Sequence, residues 1–118
     1  MSDIYESALL FDFYGELLTE HQKKIYADRV YNDMSMSEIA EENGISRQAV
    51  HDLIKRCNDT LQEYENKLHL VERFKEAKKI SESISRLSDT QNSGNEAQDI
   101  YYRIARINEL ANKLIPLL

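Results

Sequence analysis

The sequence predicts an all-α fold, and three observations lead to this prediction. The 118-residue chain has one proline and three glycines, too little turn chemistry for a protein of many strands. Apolar residues recur at helical steps of three and four along most of its length. Thr19 with Gln22, and Ser35 with Glu38, have the capping-box spacing that opens a helix. Helices separated by short turns are therefore expected.

The composition narrows the class of protein. A single cysteine excludes an intramolecular disulfide framework and fits a reducing compartment, so we expect a cytoplasmic location. The acidic first residues lack the positive leader of a signal peptide. No stretch approaches the roughly 18 apolar residues of a membrane span, so no membrane insertion is expected. The net charge of −6 argues mildly against nonspecific coating of nucleic acid.

The first half of the chain is predicted to form a series of helices. The first covers about 3–18 and has a broad apolar face, which indicates a buried helix. Thr19 opens a second helix over about 20–32. Ser35 opens a short third helix that ends at Gly44, because glycine adopts the left-handed conformation at little cost. Ser46 then caps a fourth helix.

The fourth helix carries a long apolar seam. Its members follow alternating steps of four and three, which is the spacing of a coiled coil: Val50, Ile54, Cys57, Leu61, Tyr64, Leu68 and Val71. We expect the six seam residues from Ile54 onward to pack against a hairpin partner in the same chain or against a second copy. Beyond this seam the apolar positions shift, which predicts a bend or break between about 72 and 81.

The C-terminal part is predicted to be a helical extension. The turn-rich segment 88–95 suggests a flexible loop, and a last helix over about 95–115 carries a second seam that ends before Pro116. We therefore divide the chain into residues 1–74 and a helical hairpin extension, 75–118. A continuous helix over 47–74 would be about 42 Å long, against a radius of gyration of about 13 Å for such a chain. This mismatch predicts a homodimer.

The segment from Ser35 to Lys55 has the spacing of a DNA-binding helix-turn-helix. The small residue where two helices must touch is Ala40, and the turn glycine is Gly44. Inward aliphatic residues leave one face of the following helix free to enter a major groove. The candidate nucleic-acid contacts on and beside this face are Ser46, Arg47, Gln48, His51, Asp52, Lys55 and Arg56, with Lys23 and Lys24 on the preceding helix.

The side chains on this face suit nucleic-acid binding. Gln48 can pair with adenine, and Arg47 with guanine or a phosphate. Lys55 and Arg56 suit phosphates, as do the free N–H groups at the helix start. Any three-helix cluster also yields a polar outer face, so a structural or protein-binding role stays open. The basic footprint is thin, since residues 45–56 have a net charge of only +2.

Residues 10–74 resemble the YlxM family of small bacterial proteins, most specifically in FDFY (11–14), SEIA (37–40) and SRQAV (46–50). Residues 35–56 are also similar to region 4 of sigma-70-type factors, in SxxEIA followed by GISRxAV. The resemblance implies an all-helical protein with a sigma-like helix-turn-helix, encoded beside signal recognition particle genes. It further implies a regulator or accessory of that targeting pathway. Residues 75–118 lie outside the strong match.

Other features carry less information. The three histidines stand at no zinc-site spacing, and Cys57 lies in the seam, so neither a metal nor a cofactor is expected. No phosphate loop or nucleophile elbow is present, so an enzyme is not expected. The Phe11, Phe13 and Tyr14 group is interpreted as core packing rather than as a partner patch.

Two functional hypotheses follow. The first is a dimeric regulator that binds DNA or RNA, including signal recognition particle RNA, through the helix beginning at Arg47. RNA would need a different mode of contact, because A-form major grooves do not easily admit a helix. The second is a protein-interaction module that docks on a component of the targeting machinery, such as its GTPase, without contacting nucleic acid.

Overall fold

The computed structural model describes residues 4–89 and 96–118, and all regular structure in these ranges is helical. The helices are α1 (Ile4–Tyr14), α2 (Glu20–Val30), α3 (Met36–Asn43), α4 (Arg47–Leu68), α5 (Leu70–Ser88) and α6 (Ala97–Leu114). Short 3₁₀ turns follow α1 and α6. The all-α prediction is confirmed. None of the described helices is long and apolar enough to cross a membrane.

The chain divides into two compact units, an N-terminal unit (Met1–Val71) and a C-terminal unit (Glu72–Leu118). The division falls three residues before the boundary predicted after residue 74. Most of the loop predicted over 88–95 lies outside the described residues, since only Ser88 and Asp89 of it are described.

The helix starts form as the sequence predicts. The Thr19 and Ser35 side chains each accept a hydrogen bond from the backbone N–H three residues on. The Gln22 and Glu38 side chains accept in turn from the backbone N–H groups of Thr19 and Ser35. Ser46 Oγ accepts from the N–H of Ala49 at 3.0 Å. Each cap satisfies a backbone donor that the first helical turn leaves open, so these three starts depend on residues next to them in sequence.

One apolar cluster forms the core of the N-terminal unit. It contains thirteen of the described buried residues: Leu9, Leu10, Tyr14, Leu18, Ile25, Tyr26, Ile39, Ala40, Val50, Ile54, Cys57, Leu61 and Val71. α4 runs through this cluster and contacts α1, α2 and α3. Two of the three aromatic residues predicted to pack in the core do so. Phe11 stacks on Tyr26 with ring centroids 5.4 Å apart, and Tyr14 is 1% exposed. Phe13 is 38% exposed.

The first helix is shorter than predicted. α1 ends at Tyr14, and Gly15–Leu17 tightens into a 3₁₀ turn instead of continuing the helix to about residue 18. The apolar pattern gave no sign of this change. Gly15 is buried beneath the Phe11 ring, where an added Cβ would stand 2.9 Å from Phe11 Cδ1. Close packing of this ring therefore requires glycine at position 15.

The break in the long helix also differs from the prediction. α4 ends at Leu68 and His69 adopts a left-handed conformation with φ of 57°, before the predicted interval of 72–81. Two side chains accept hydrogen bonds from the first free backbone N–H groups of α5. The Tyr14 hydroxyl accepts from the Leu70 N–H at 3.1 Å, and Glu65 Oε1 accepts from the Val71 N–H at 3.0 Å. Tyr14 also donates to Glu65 Oε1 at 2.6 Å, which joins α1 to the break.

The described part of the C-terminal unit has little core. Ile80 of α5 and Leu110 of α6 are its two buried hydrophobic residues. A cavity of about 440 Å³ lies between the two helices, lined by Leu87 on α5 and by Arg103 and Leu110 on α6 among others. The Arg103 guanidinium donates to the Asp89 carbonyl oxygen at 2.6 Å. The two helices therefore face each other and bury few side chains in doing so.

Candidate nucleic-acid interface

The helix-turn-helix is formed by α3, the turn at Gly44, and α4. Gly44 has φ of 65°, a conformation that costs other L-residues energy. Its turn places Ile45 so that the Ile45 N–H donates to the Ala40 carbonyl at 3.1 Å, and the Asn43 amide donates to the Ile39 carbonyl at 2.7 Å. Ile39 and Val50 are fully buried, so the two helices are held at a fixed angle by packing as well as by the turn.

The predicted contact face of α4 is exposed to solvent. All seven predicted residues at its start and along this face are exposed: Ser46, Arg47, Gln48, His51, Asp52, Lys55 and Arg56. The six that follow Ser46 form two rows at steps of four, because residues four apart lie above one another on a helix. The first row is Arg47, His51 and Lys55, and the second is Gln48, Asp52 and Arg56.

Asp52 lies at the centre of this face. Its Oδ1 accepts a hydrogen bond from Gln48 Nε2 at 3.0 Å and lies 3.7 Å from His51 Nδ1. One of the two amide hydrogens of Gln48 is thus occupied, while the second hydrogen and the amide oxygen face solvent. The carboxylate restrains the rotation of Gln48 and places one negative charge between the basic groups of the helix.

Three cations on α4 have no carboxylate partner within the described residues. Arg47, Lys55 and Arg56 are exposed and take part in none of the ion pairs of residues 4–89 and 96–118. An unpaired guanidinium or ammonium group can engage a phosphate without first losing a protein partner. The first three turns of α4 therefore present an accessible basic surface.

The two lysines predicted beside this face are paired with carboxylates instead. Lys23 Nζ lies 2.9 Å from Glu16 and 3.2 Å from Glu20, and these hydrogen bonds raise the pKa of Lys23. Lys24 Nζ lies 3.9 Å from Glu42 on α3. The contribution of these lysines to a basic surface is therefore reduced by neighbouring negative charges, which residue type alone did not show.

The first helix of the motif is acidic. α3 contains Glu38, Glu41 and Glu42, all exposed, and no lysine or arginine. The N–H of Ser35 holds the pKa of Glu38 below its ordinary value, so this carboxylate is ionised at neutral pH. α4 is also polarised along its length, since residues 47–56 have three basic and one acidic residue whereas 57–68 have one basic and three acidic residues.

The predicted seam of α4 is covered within the chain. Ile54, Cys57, Leu61 and Val71 are buried in the N-terminal unit, where α1 and α2 pack against α4. Tyr64 is partly buried and stacks on Tyr14 with ring centroids 6.0 Å apart, whereas Leu68 is 48% exposed. The coiled-coil partner expected for this stripe is supplied by α1 and α2. The covered part of this seam is therefore not available to a second copy.

Cys57 occupies an inert site. It is fully buried, and burial raises the pKa of its thiol to about 11. The protonated thiol that this pKa maintains at neutral pH is a poor nucleophile. Cys57 is thus a small core residue.

Comparison with known proteins bears on this arrangement. The family profile described as "UPF0122: Putative helix-turn-helix protein, YlxM / p13 like" matches residues 1–113. The chain belongs to the UPF0122 family. The UPF0122 protein of Malacoplasma penetrans is 45% identical over 82 residues, 70% of this chain and 77% of the relative. Those of Symbiobacterium thermophilum and Bacillus licheniformis are 52% and 50% identical, over 60% and 70% of this chain and 66% and 77% of their own lengths.

Membership in UPF0122 confirms the resemblance to YlxM proteins and the helix-turn-helix. It supports a nucleic-acid-binding regulator at the level of class, and the family is one of helix-turn-helix proteins rather than of enzymes. The names of these three relatives do not mention a binding partner.

Proposed function

We propose that this UPF0122 protein is a regulator that binds nucleic acid through the exposed face of α4. The observation that carries the proposal is the set of three unpaired cations, Arg47, Lys55 and Arg56, on the second helix of a helix-turn-helix. In proteins with this motif the second helix enters the major groove with its N-terminal residues against base edges. Gln48 occupies that position, while Arg47 and the free N–H groups beside it suit a phosphate.

The geometry of Gln48 supports adenine as its target. Bidentate pairing with adenine uses one amide hydrogen and the amide oxygen of glutamine. Both remain available while the other hydrogen is held by Asp52 at 3.0 Å. Asp52 itself disfavours the acceptor groups of guanine and can accept from the amino group of cytosine. We therefore expect A·T or C·G pairs opposite this part of the helix.

The charge distribution limits how many phosphates are contacted. Three cations are unpaired, and the glutamates of α3 repel the backbone that the first helix would otherwise cross. About three phosphates per copy gives a salt slope near −3, since each phosphate contributes about −0.9. Affinity for one site would fall about 40-fold between 50 and 200 mM salt. Because so few phosphate contacts give weak binding by one copy, we propose that two copies bind together.

A homodimer is the second part of the proposal. Two copies would place two α4 helices in successive major grooves about 34 Å apart and double the number of phosphates contacted. Duplex DNA is the favoured ligand because its major groove admits a helix, whereas that of A-form RNA does not. Signal recognition particle RNA is included as a candidate only through the resemblance to YlxM proteins.

The test compares two substitutions on the same helix. Arg47→Ala removes an unpaired cation from the basic half of α4, while Lys67→Ala removes the same charge from the acidic half, where Lys67 lies 3.6 Å from Glu63. Binding is measured by fluorescence anisotropy with a random-sequence duplex and with structured RNA, at 50 and 200 mM salt. Arg47→Ala is expected to weaken binding about ten-fold at low salt and to reduce the salt slope by about one.

Two outcomes would contradict the proposal. The first is no retention of any duplex or RNA by the unaltered protein at 50 mM salt. The second is an equal loss of affinity in Arg47→Ala and Lys67→Ala, since that would show a dependence on net charge rather than on the exposed face of α4.

The acidic surface of α3 supports a different candidate function, a protein-interaction module. Glu38, Glu41 and Glu42 form an exposed acidic surface that suits a basic protein. A component of the signal recognition particle machinery, such as its GTPase, is the partner that the resemblance suggests. Binding of the purified GTPase that is lost in Glu41→Lys but kept in Arg47→Ala would favour this function. Binding lost only in Arg47→Ala would exclude the α3 surface.

A further inference from the structure

The outer surface of α6 is apolar over a wider arc than α5 covers. α5 and α6 face each other across Leu87 and Leu110, and Leu110 is 6% exposed. On the neighbouring side of α6 and just beyond its end, five large apolar residues remain between 42% and 91% exposed: Ile100, Tyr101, Ile104, Ile115 and Leu118. Ile100, Tyr101 and Ile104 lie within about 100° of one another around α6, and Ile115 and Leu118 lie in and directly after the 3₁₀ turn that follows the helix.

This arc continues a regular heptad pattern. Ala97, Ile100, Ile104, Ile107, Ala111 and Leu114 follow steps of 3, 4, 3, 4 and 3. In α4 the same pattern is buried by α1 and α2, but in α6 Ile100 and Ile104 are exposed. A helix whose apolar arc spans two neighbours is typical of a four-helix bundle, in which each helix packs against two others. The described C-terminal unit supplies only one such neighbour for α6.

We infer that the exposed arc of α6 is the surface through which a second copy of this chain binds, so that two α5–α6 pairs form a four-helix bundle. The inference deepens the proposed function, because it rests on the proposed homodimer and names its interface. Area, charge and the absence of acidic and basic side chains on the arc support a second copy as the occupant.

The area is close to what a dimer requires. At roughly 150–250 Å² for a large side chain, the exposed parts of the five residues amount to about 600 Å² per copy. A standard interface buries about 800 Å² per partner, including its polar rim. Asn108 and Asn112, both exposed, lie about 40° and 80° around the helix from Ile104, so both amides add polar surface to the contact. The interface is therefore sufficient for a reversible dimer.

The charge distribution favours pairing through this unit. Residues 1–71 contain seven basic and fourteen acidic residues, a net charge of −7, whereas residues 72–118 contain eight basic and seven acidic residues, a net charge of +1. Two copies meeting through their N-terminal units would bring charges of −7 together. Contact through the C-terminal units avoids this repulsion.

The arc itself contains no acidic, basic or histidine side chain. Measured from Ile104, all charged side chains of α6 lie about 100° or more away around the helix: Asp99, Arg103, Arg106, Glu109 and Lys113. In a two-fold dimer the same residues meet across the axis. Pairing of this arc therefore opposes no like charges and leaves no buried charge unpaired.

The test uses two substitutions to glutamate on opposite sides of α6. Ile104→Glu places a charge in the arc, while Tyr102→Glu places the same charge about 160° away, where Tyr102 is 66% exposed. Ile104 is 59% exposed, so the substitution leaves the folded chain intact, and circular dichroism checks this. Light scattering after size exclusion is measured from 1 to 200 µM. The unaltered protein and Tyr102→Glu are expected at twice the 13.8 kDa of one chain.

Ile104→Glu is expected to weaken association at least about a hundred-fold, because each interface would then contain unpaired buried charges. A 13.8 kDa species for the unaltered protein at 200 µM would overturn the inference. A dimer that persists in Ile104→Glu, or is lost equally in Tyr102→Glu, would overturn it as well. Nucleic-acid binding is measured separately on the same samples, so a dimer without affinity for DNA or RNA would contradict the proposed function and leave this interface supported.

Discussion

The two units of this protein cover their apolar helix faces differently. In the N-terminal unit α4 lies between α1, α2 and α3, and thirteen buried residues form one cluster. In the described part of the C-terminal unit two helices face each other and bury only Ile80 and Leu110 among their hydrophobic residues. Heptad spacing is present in both units. The spacing therefore identifies a face to be covered and leaves open what covers it.

The largest effect is expected when the two units are prepared as separate fragments and their helicity is compared. Residues 1–78 keep the whole apolar cluster and the start of α5, so this fragment is expected to unfold cooperatively on heating. Residues 72–118 are expected to show helicity that rises with concentration, because an isolated helical hairpin buries too little apolar surface. Circular dichroism at 5 and 200 µM measures both. A cooperative, concentration-independent transition of 72–118 would contradict the comparison.

Within the N-terminal unit, Leu61→Ala tests how tightly α4 is packed. Leu61 is fully buried, so its truncation leaves a cavity and is expected to lower the free energy of unfolding by about 3 kcal/mol. Leu68→Ala is the control on the same helix, since Leu68 is 48% exposed and its loss is expected to cost less than about 1 kcal/mol. Urea unfolding measures both. Equal effects would show that the stripe is not covered by α1 and α2.

Tyr14→Phe tests the junction between α4 and α5. The substitution removes the hydroxyl that donates to Glu65 and accepts from the Leu70 N–H, and it is expected to cost about 2 kcal/mol. Tyr5→Phe is the control, because Tyr5 is 59% exposed. An unchanged unfolding free energy in Tyr14→Phe would show that these bonds do not stabilise the break at His69.

The same residue predicts an alkaline dependence of stability. Burial, and next the hydrogen bond to Glu65, raise the pKa of Tyr14 above its ordinary value of 10.0. The folded state thus favours the neutral hydroxyl, so its contribution is complete below about pH 10 and is lost as the pH rises through the raised pKa. Unfolding free energies measured between pH 8 and 11.5 are expected to fall less steeply in Tyr14→Phe. An identical slope would exclude this contribution.

The smallest of these effects concerns the turn of the helix-turn-helix. Gly44→Ala is expected to cost about 1 kcal/mol, because alanine is strained at φ of 65° while its Cβ would meet nothing within 4 Å. Gly44→Asn is expected to cost less, since asparagine tolerates the left-handed conformation. Thermal unfolding distinguishes the two variants. A larger loss for asparagine would show that space, rather than backbone conformation, limits this position.

Much of the candidate site was predictable from the sequence. The spacing of Ala40, Gly44 and Val50 fixed the helix-turn-helix, and the residues predicted to face outward on α4 are exposed. The charges around that face were harder to predict. Lys24 meets Glu42 only because α2 and α3 pack together, and Lys23 meets Glu16 across the end of α1. Because the partners in these ion pairs are separated in the sequence, a pattern based on neighbouring residues does not predict the pairs.

The sequence by itself determined the helix starts at Thr19, Ser35 and Ser46 and the turn at Gly44, because each depends on hydrogen bonds or backbone angles within a few residues. Tertiary structure decided where α4 ends and what covers its stripe. The break at His69 depends on the Tyr14 hydroxyl, which accepts a hydrogen bond from the Leu70 N–H, 56 residues away in the sequence. Apolar surface is buried by whichever helix reaches it, and helical spacing alone does not specify that helix.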